Sequence, residues 1–381
     1  MCKLLPLTLF LATAFGQDTT FEGQPALELA NNRLKLTVLP QGAIMANLVM
    51  ADDATKLSPL WNPVRLAREA GRKANFSGAF GHFPCVDGFG QPSADERAAG
   101  LPQHGEAHLL NLAVTRGKDS VSLKGTLPLV QENFTRNFSM VEGENVVYVD
   151  SVLENLMAFD RPVAWAEHAT ASSPFLESGK ATVYLSGTRS QTRIYAANQP
   201  GRGGAAPRTQ RRLKGGIDFT WPMAPGLDGA SVDLSDIPPS PHFIDHSATQ
   251  MDPNRQQEWV AILNTEKHLI YGYVFRREDY PWMQHWGNFA SSTEEVRGME
   301  FGTQPYDVPR REAISMGSLF GTPTYRWLAA KSKFESHFLM FYAQTPANLK
   351  KIDDIRLEGG KIVITDSATG VQMTLAAAKG L

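Results

Sequence analysis

The sequence predicts an all-β protein, a large sandwich of antiparallel sheets with few short helices. Three observations carry that reading. Apolar and polar residues alternate over many short segments, the period of a half-buried strand. Gly, Pro, Asn and Asp punctuate the gaps, where turns need them. Helical spacing is rare and short, with 64–69 as one candidate. Many strands at short intervals with such turns indicate a sandwich or barrel.

Residues 33–39, Arg-Leu-Lys-Leu-Thr-Val-Leu, alternate cleanly. Pro40-Gln41 then breaks the chain, and 42–50 follows as the second half of a hairpin-like pair. Further strands are predicted over 110–115, 120–128, 134–141, 145–154, 164–172, 181–185, 257–264, 269–275, 297–301 and 333–343. The last pair, 361–365 and 371–375, is split by the turn segment Asp366-Ser-Ala-Thr-Gly. No repeat at a fixed period and no domain linker is present. The Pro/Gly-rich stretch 199–241 reads as a loop-rich insertion in a single domain spanning 17–381, a rim or lid over a site.

The chain has 381 residues, 42% hydrophobic and 20% charged, enough to bury a sizeable core. Its formal net charge is −2, with Lys and Arg scattered. Nucleic acids and anionic membranes select concentrated positive charge, so neither is an expected partner. The one basic patch, Arg208 to Lys214 with Arg211 and Arg212, reads as a solvated loop.

Residues 1–16 read as an export signal. Lys3 leads a short apolar run, and Ala14-Phe15-Gly16 has the small residues that signal peptidase inspects. Cleavage before Gln17 and an exported (periplasmic or extracellular) location are expected. No segment has the ~18 consecutive apolar residues of a membrane span. Removal of Cys2 with the signal leaves Cys85 alone, without an intramolecular disulfide partner. No Cys/His cluster has zinc-like spacing. Sequons occur at Asn75, Asn133 and Asn137.

Three stretches carry chemistry. They are His104 in Leu-Pro-Gln-His-Gly-Glu (101–106), His168 in Trp-Ala-Glu-His-Ala-Thr (165–170), and Glu300 in Gly-Met-Glu-Phe-Gly-Thr-Gln-Pro (298–305). Two imidazoles and a carboxylate suit reversible proton transfer at a hemiacetal. Opening a sugar ring requires a proton on the ring oxygen and removal of one from the anomeric hydroxyl. Rotation about C1–C2 and reclosure then deliver either anomer. One acid and one base suffice, with no metal and no cofactor. Plainer roles compete. His168 fits a core histidine bonded to backbone, Glu300 faces either solvent or a cleft, and His108 reads as a surface residue. In the aromatic stretch 280–286, Trp282 and Trp286 suit a platform for the C–H face of a sugar, with His285 between them, but large aromatics also fill cores.

The stretch 132–176 resembles the core of the aldose 1-epimerase (galactose mutarotase) family. It runs through Asn-Phe-Thr-Arg-Asn-Phe-Ser-Met (133–140) and Val-Leu-Glu-Asn-Leu (152–156) to Pro-Val-Ala-Trp-Ala-Glu-His-Ala-Thr (162–170). Pro102-Gln-His-Gly-Glu is similar to the family's His-Gly segment, and Met299-Glu-Phe-Gly-Thr-Gln-Pro to the segment with its catalytic glutamate. The resemblance implies a galactose mutarotase-like β-supersandwich with a small-molecule sugar in an open cleft. It implies His168 as the acid on the ring oxygen, Glu300 as the base on the anomeric hydroxyl, and His104 as a second donor. Asp245 in Phe-Ile-Asp-His and Arg72 in Gly-Arg-Lys-Ala-Asn-Phe match the family's sugar-binding Asp and Arg, although His82 and Asp87 equally fit that second place. The region 51–100 and the insertion at 199–241 depart from the family pattern, so the sugar stays open.

Two other classes share this fold. A carbohydrate-binding protein would keep the cleft without turnover. A hydrolase would need a second carboxylate beside Glu300, from Asp245 or Asp87. A lyase would need an arginine for a uronate, from Arg310, Arg311 or Arg136.

Overall fold

A computed structural model describes residues 17–73, 76–194, 211–238, 243–289 and 295–381. The export-signal residues, Asn75 and residues 208–210 of the basic patch lie outside them. The described chain is mostly antiparallel sheet with short helices, as the sequence predicts.

The larger sheet has eleven strands. In spatial order they are Gln17–Phe21, Gln24–Ala30, Leu34–Leu39, Ile44–Met50, His82–Val86, Trp165–Ser172, Glu295–Gly302, Trp282–Phe289, Phe243–Gln250, Arg189–Thr192 and Asp218–Thr220. The smaller sheet has eight: Ala181–Leu185, Gln257–Asn264, Leu269–Arg276, Lys333–Gln344, Val146–Asn155, Glu132–Met140, Ser120–Leu127 and Ala113–Arg116. A shared apolar core fills the space between them, with Phe138, Val149, Tyr273 and Phe338 from one sheet and Trp165, Met283, Met299 and Phe301 from the other. Phe275 and Phe301 stack across it at 4.5 Å.

A third sheet, Asp354–Glu358, Lys361–Asp366 and Val371–Ala376, covers the outer face of the smaller one through Ile355, Ile362 and Ile364 packed on Val146, Ile270 and Phe341. This cover explains two burial patterns. Glu132–Met140, which has few side chains over its outer face, alternates buried and half-buried. Leu269–Arg276 is buried on both faces and reads as a continuous apolar run. Helix Pro63–Glu69 starts one residue before the predicted 64, because the Asn62 side chain accepts from Arg65 N–H and Pro63 occupies its first turn.

Strands predicted over 181–185 and 257–264 have those bounds, and the others shift at their ends. The strand predicted from 110 begins only at Ala113, since Asn111 bridges Gln41 instead. The prediction omits His82–Val86, Phe243–Gln250 and Trp282–Phe289. Their His, Gln, Asp and Trp residues hide the alternation.

The core also holds charge. Glu167 is fully buried and faces the smaller sheet, where Arg136 meets Oε1. Trp165 Nε1 donates to the same oxygen at 2.9 Å, and His82 Nε2 lies 2.8 Å from Oε2. Burial alone would raise this carboxyl, but Arg136 and the His82 hydrogen bond hold it below the ordinary value. Arg136→Ala strands this carboxylate in the core, so urea unfolding should show a loss of about 3–5 kcal/mol. The double variant Arg136→Met, Glu167→Leu should recover most of that loss. A single-variant loss below about 1 kcal/mol would show that the pair is not a structural anchor.

Candidate active site

Strand alternation decides what faces outward from the larger sheet. With Glu167 turned to the core, its neighbour His168 must project from the opposite face. The registers then align Phe83, His168, Glu300, Gln284 and Ala248 in a row across five strands on that outer face.

His168 and Glu300 touch, with Nε2 3.3 Å from Oε1. The His168 Nδ1 lies 2.8 Å from Thr170 Oγ1, so each ring nitrogen has an oxygen that can hold its proton. Gln284 Nε2 donates to Glu300 Oε2 at 2.6 Å, and Gln284 Oε1 accepts from the Asp307 N–H at 2.6 Å. The glutamate is thereby fixed at both oxygens. Gly298 makes room for it, since a Cβ there would sit 2.4 Å from Glu300 Oε1.

His104 arrives from the loop after helix Ala94–Ala98, with its backbone in the left-handed region at φ +64. Gly105 follows at φ +77, and a Cβ on it would lie 2.1 Å from Val86 O, so only glycine fits. The Gly90 N–H lies 3.2 Å from His104 Nδ1, and the Gln103 amide Nε2 lies 2.8 Å from His104 Nε2. The His104 ring stands perpendicular to His168 at 5.2 Å. Phe83 forms the floor, stacked on His168 at 4.4 Å and edge-on to His104 at 5.6 Å. Trp286 packs edge-on to His168 at 5.8 Å and to Trp61 at 6.4 Å, while His246 stacks on its other side. His104, His168 and Glu300 are 8, 6 and 2% exposed.

Solved structures share this architecture. A candidate aldose 1-epimerase from Klebsiella pneumoniae superposes with a TM-score of 0.59 at 16% identity, over 85% of this chain and 80% of its own. The galactose mutarotase related enzyme from Lactobacillus acidophilus gives 0.55 at 13% identity, over 87% and 100%. A galactose mutarotase-like protein from Clostridium acetobutylicum gives 0.55 at 12%, over 87% and 99%. The chain has the galactose mutarotase-like fold. No protein-family model and no curated protein sequence matches it.

Within this fold the structure brings His104, His168 and Glu300 together, and leaves other expected site residues elsewhere. Asp245 is fully buried on the inward face, where Arg212 grips it at 2.9 and 2.7 Å. His285 also points inward, against Arg297 and the edge of Trp221 at 4.6 Å. Burial, then the Arg297 charge, holds its imidazole well below the ordinary value. The reason is the period of two. His246 and Trp286 take the outer face, so their neighbours Asp245 and His285 cannot. Trp282 shares the outer face but is completely covered, with Nε1 donating to Pro323 O at 2.7 Å. Arg72 is exposed on the turn that closes helix Pro63–Glu69. His82 belongs to the inter-sheet network, and Asp87 binds Arg161 and Arg310.

Sequence reasoning missed Thr170, Gln284, Trp61 and Asp307. Thr170 and Gln284 are found by counting two residues from His168 and pairing across from Glu300. Trp61 and Asp307 lie in loops and give no such signal. No three-ligand metal cluster occurs among the described residues.

His108, read from sequence as a surface residue, is buried beside Phe83 at 5.4 Å. Burial pushes its imidazole down to about 4. The unfolded chain takes up this proton near 6.5, so the stability from keeping the ring neutral is full above that pH and is lost as pH falls toward about 4. Between pH 7 and pH 4, wild type should lose up to about 3 kcal/mol more than His108→Leu in urea unfolding. A difference that does not vary with pH would show that the folded ring titrates normally.

Proposed function

We propose that this protein interconverts the α and β anomers of a free sugar, as an isomerase of the aldose 1-epimerase type, exported after cleavage before Gln17. The observation that carries the proposal is the contact of His168 with Glu300 beside His104, on the face opposite the core. The ring oxygen and the anomeric hydroxyl of a hemiacetal hang on one carbon. An acid and a base that touch each other can therefore address both once the sugar enters between them.

In the forward step His168 Nε2 gives its proton to the ring oxygen, and Glu300 Oε1 takes the proton of the anomeric hydroxyl. The C1–O5 bond breaks and a C1–O1 double bond forms. After rotation about C1–C2, the same two groups reverse their transfers on the other face of the aldehyde. His104 stands beside them as a second hydrogen-bonding group. Trp286 and Trp61 form an aromatic wall suited to the C–H face of a sugar.

Several residues that the competing enzyme classes would use are engaged elsewhere. Asp245 and Asp87, the carboxylates a hydrolase would pair with Glu300, are engaged by Arg212 and by Arg161 and Arg310. Arg136, one candidate for neutralising a uronate, points into the core.

Optical-rotation relaxation of freshly dissolved aldoses tests the proposal. The mature chain should accelerate it for at least one sugar. His168→Ala and Glu300→Gln should each lower turnover by ~10² or more with the fold intact. Wild-type rates in both variants would remove these residues from the mechanism. Gly298→Ala should lower turnover as well, by displacing the Glu300 carboxylate while leaving the melting temperature within a few degrees. Full activity in Gly298→Ala would mean that the base tolerates displacement.

A further inference from the structure

His104 and Glu300 are held by two segments that share a seam, and an ion pair that no step above uses closes it. The first segment runs from Asp87 to His104. The second runs from Thr303 to Arg310, and its Asp307 N–H donates to Gln284, which holds Glu300. The two pack closely. A Cβ on Gly90 would lie 2.3 Å from Asp307 O. The cavity left among Gly88, Gly90, Pro102, Val308 and Arg310 is only about 10 Å³, no larger than one water needs. Gly90 O accepts from the His104 N–H at 2.9 Å, and the Gly90 N–H lies 3.2 Å from His104 Nδ1. A shift of Gly90 against Asp307 therefore carries the His104 ring with it.

Asp87 and Arg310 stand at the far ends of these segments, 223 residues apart in sequence, and Arg310 Nη1 donates to Asp87 Oδ2 at 2.7 Å. Asp87 is fully buried and fixed from the other side. Its N–H donates to Ala164 O at 2.6 Å, the Ala164 N–H lies 3.4 Å from Oδ1, and Arg161 meets Oδ2. Arg310 Nε also lies 3.8 Å from Glu96 Oε1, on helix Ala94–Ala98 within the first segment. We propose that Arg310, through Asp87, is a positioning residue that clamps the His104 segment against the one that holds Glu300. The proposal rests on the anomerase reading of the site. A charge-assisted bond to a buried carboxylate is strong and directional, which suits it to fixing two loops that have no ladder between them. Arg310 acts on turnover without touching the sugar.

The test compares wild type, Arg310→Gln and Arg310→Lys with Arg276→Gln, which breaks the Arg276–Asp279 pair at the end of a smaller-sheet strand. Two readouts are taken below the unfolding transition: relaxation kinetics on the best aldose, and the imidazole signals of His104 in 1H–15N spectra, assigned with His104→Gln. Arg310→Gln should lower kcat about tenfold with KM within about twofold of wild type, and should shift the His104 signals. Arg310→Lys keeps a charged donor and loses the fork, so it should lose only about threefold in kcat. It carries the test alone if Arg310→Gln does not fold. Arg276→Gln should change neither readout. Unchanged kcat and His104 signals in the Arg310 variants, a loss confined to KM, or an equal loss in Arg276→Gln would each overturn the inference and leave the anomerase reading standing. A wild type that accelerates no sugar would overturn the anomerase reading, and the His104 signals would then decide the clamp by themselves.

Discussion

The buried pair of Arg136 and Glu167 is the contact on which the rest of this structure depends. Two charges removed from water are stable only when their partners complete the hydrogen bonding. Here Glu167 receives Arg136, Trp165 Nε1 and His82, while the Tyr280 hydroxyl lies 3.2 Å away. These partners come from both sheets, so the network fixes how the sheets face each other and which face of strand Trp165–Ser172 looks inward. A slip of one residue would put Glu167 outside and His168 in the core. The position of the imidazole is therefore decided by the charge pair behind it.

The outer face is built with equal economy. Strands Trp165–Ser172 and Glu295–Gly302 are buried along their whole length, one face by the core and the other by the site. A polar group in such a place must find partners. His168 has Thr170 and Glu300, Glu300 has Gln284, and Gln284 has the Asp307 backbone. The chain of bonds holds the imidazole and the carboxylate in fixed orientation, which is what the proposed proton transfer requires. Phe83 and Trp286 pack against the His168 ring.

The elements most legible in the sequence are those with one job. Strands such as Ala181–Leu185 and Gln257–Asn264 carry apolar residues and little else, and their bounds follow from periodicity. The strands of His168 and Glu300 are predicted with shifted ends, but two of their neighbours, His82–Val86 and Trp282–Phe289, escape it. Trp282–Phe289 places polar residues on both faces, Gln284 toward the site and His285 inward, and His82–Val86 puts its His82 among core residues, so the apolar–polar contrast disappears.

The sequence alone determined the all-β class, the turn positions, and the three fragments whose His104, His168 and Glu300 meet in space. Those follow from local chemistry: alternation, turn residues, and the side chains that proton transfer requires. It did not determine which residues beside them share the site. Asp245 and Trp282 stand in suggestive words of sequence, yet one faces inward and the other is sealed beneath Pro323. Asp87 and Arg310 are 223 residues apart and meet only because strands His82–Val86 and Glu295–Gly302 both pair with Trp165–Ser172. Facing and long-range proximity depend on sheet register and on which groups the core can keep satisfied, and both arise only when the whole chain packs.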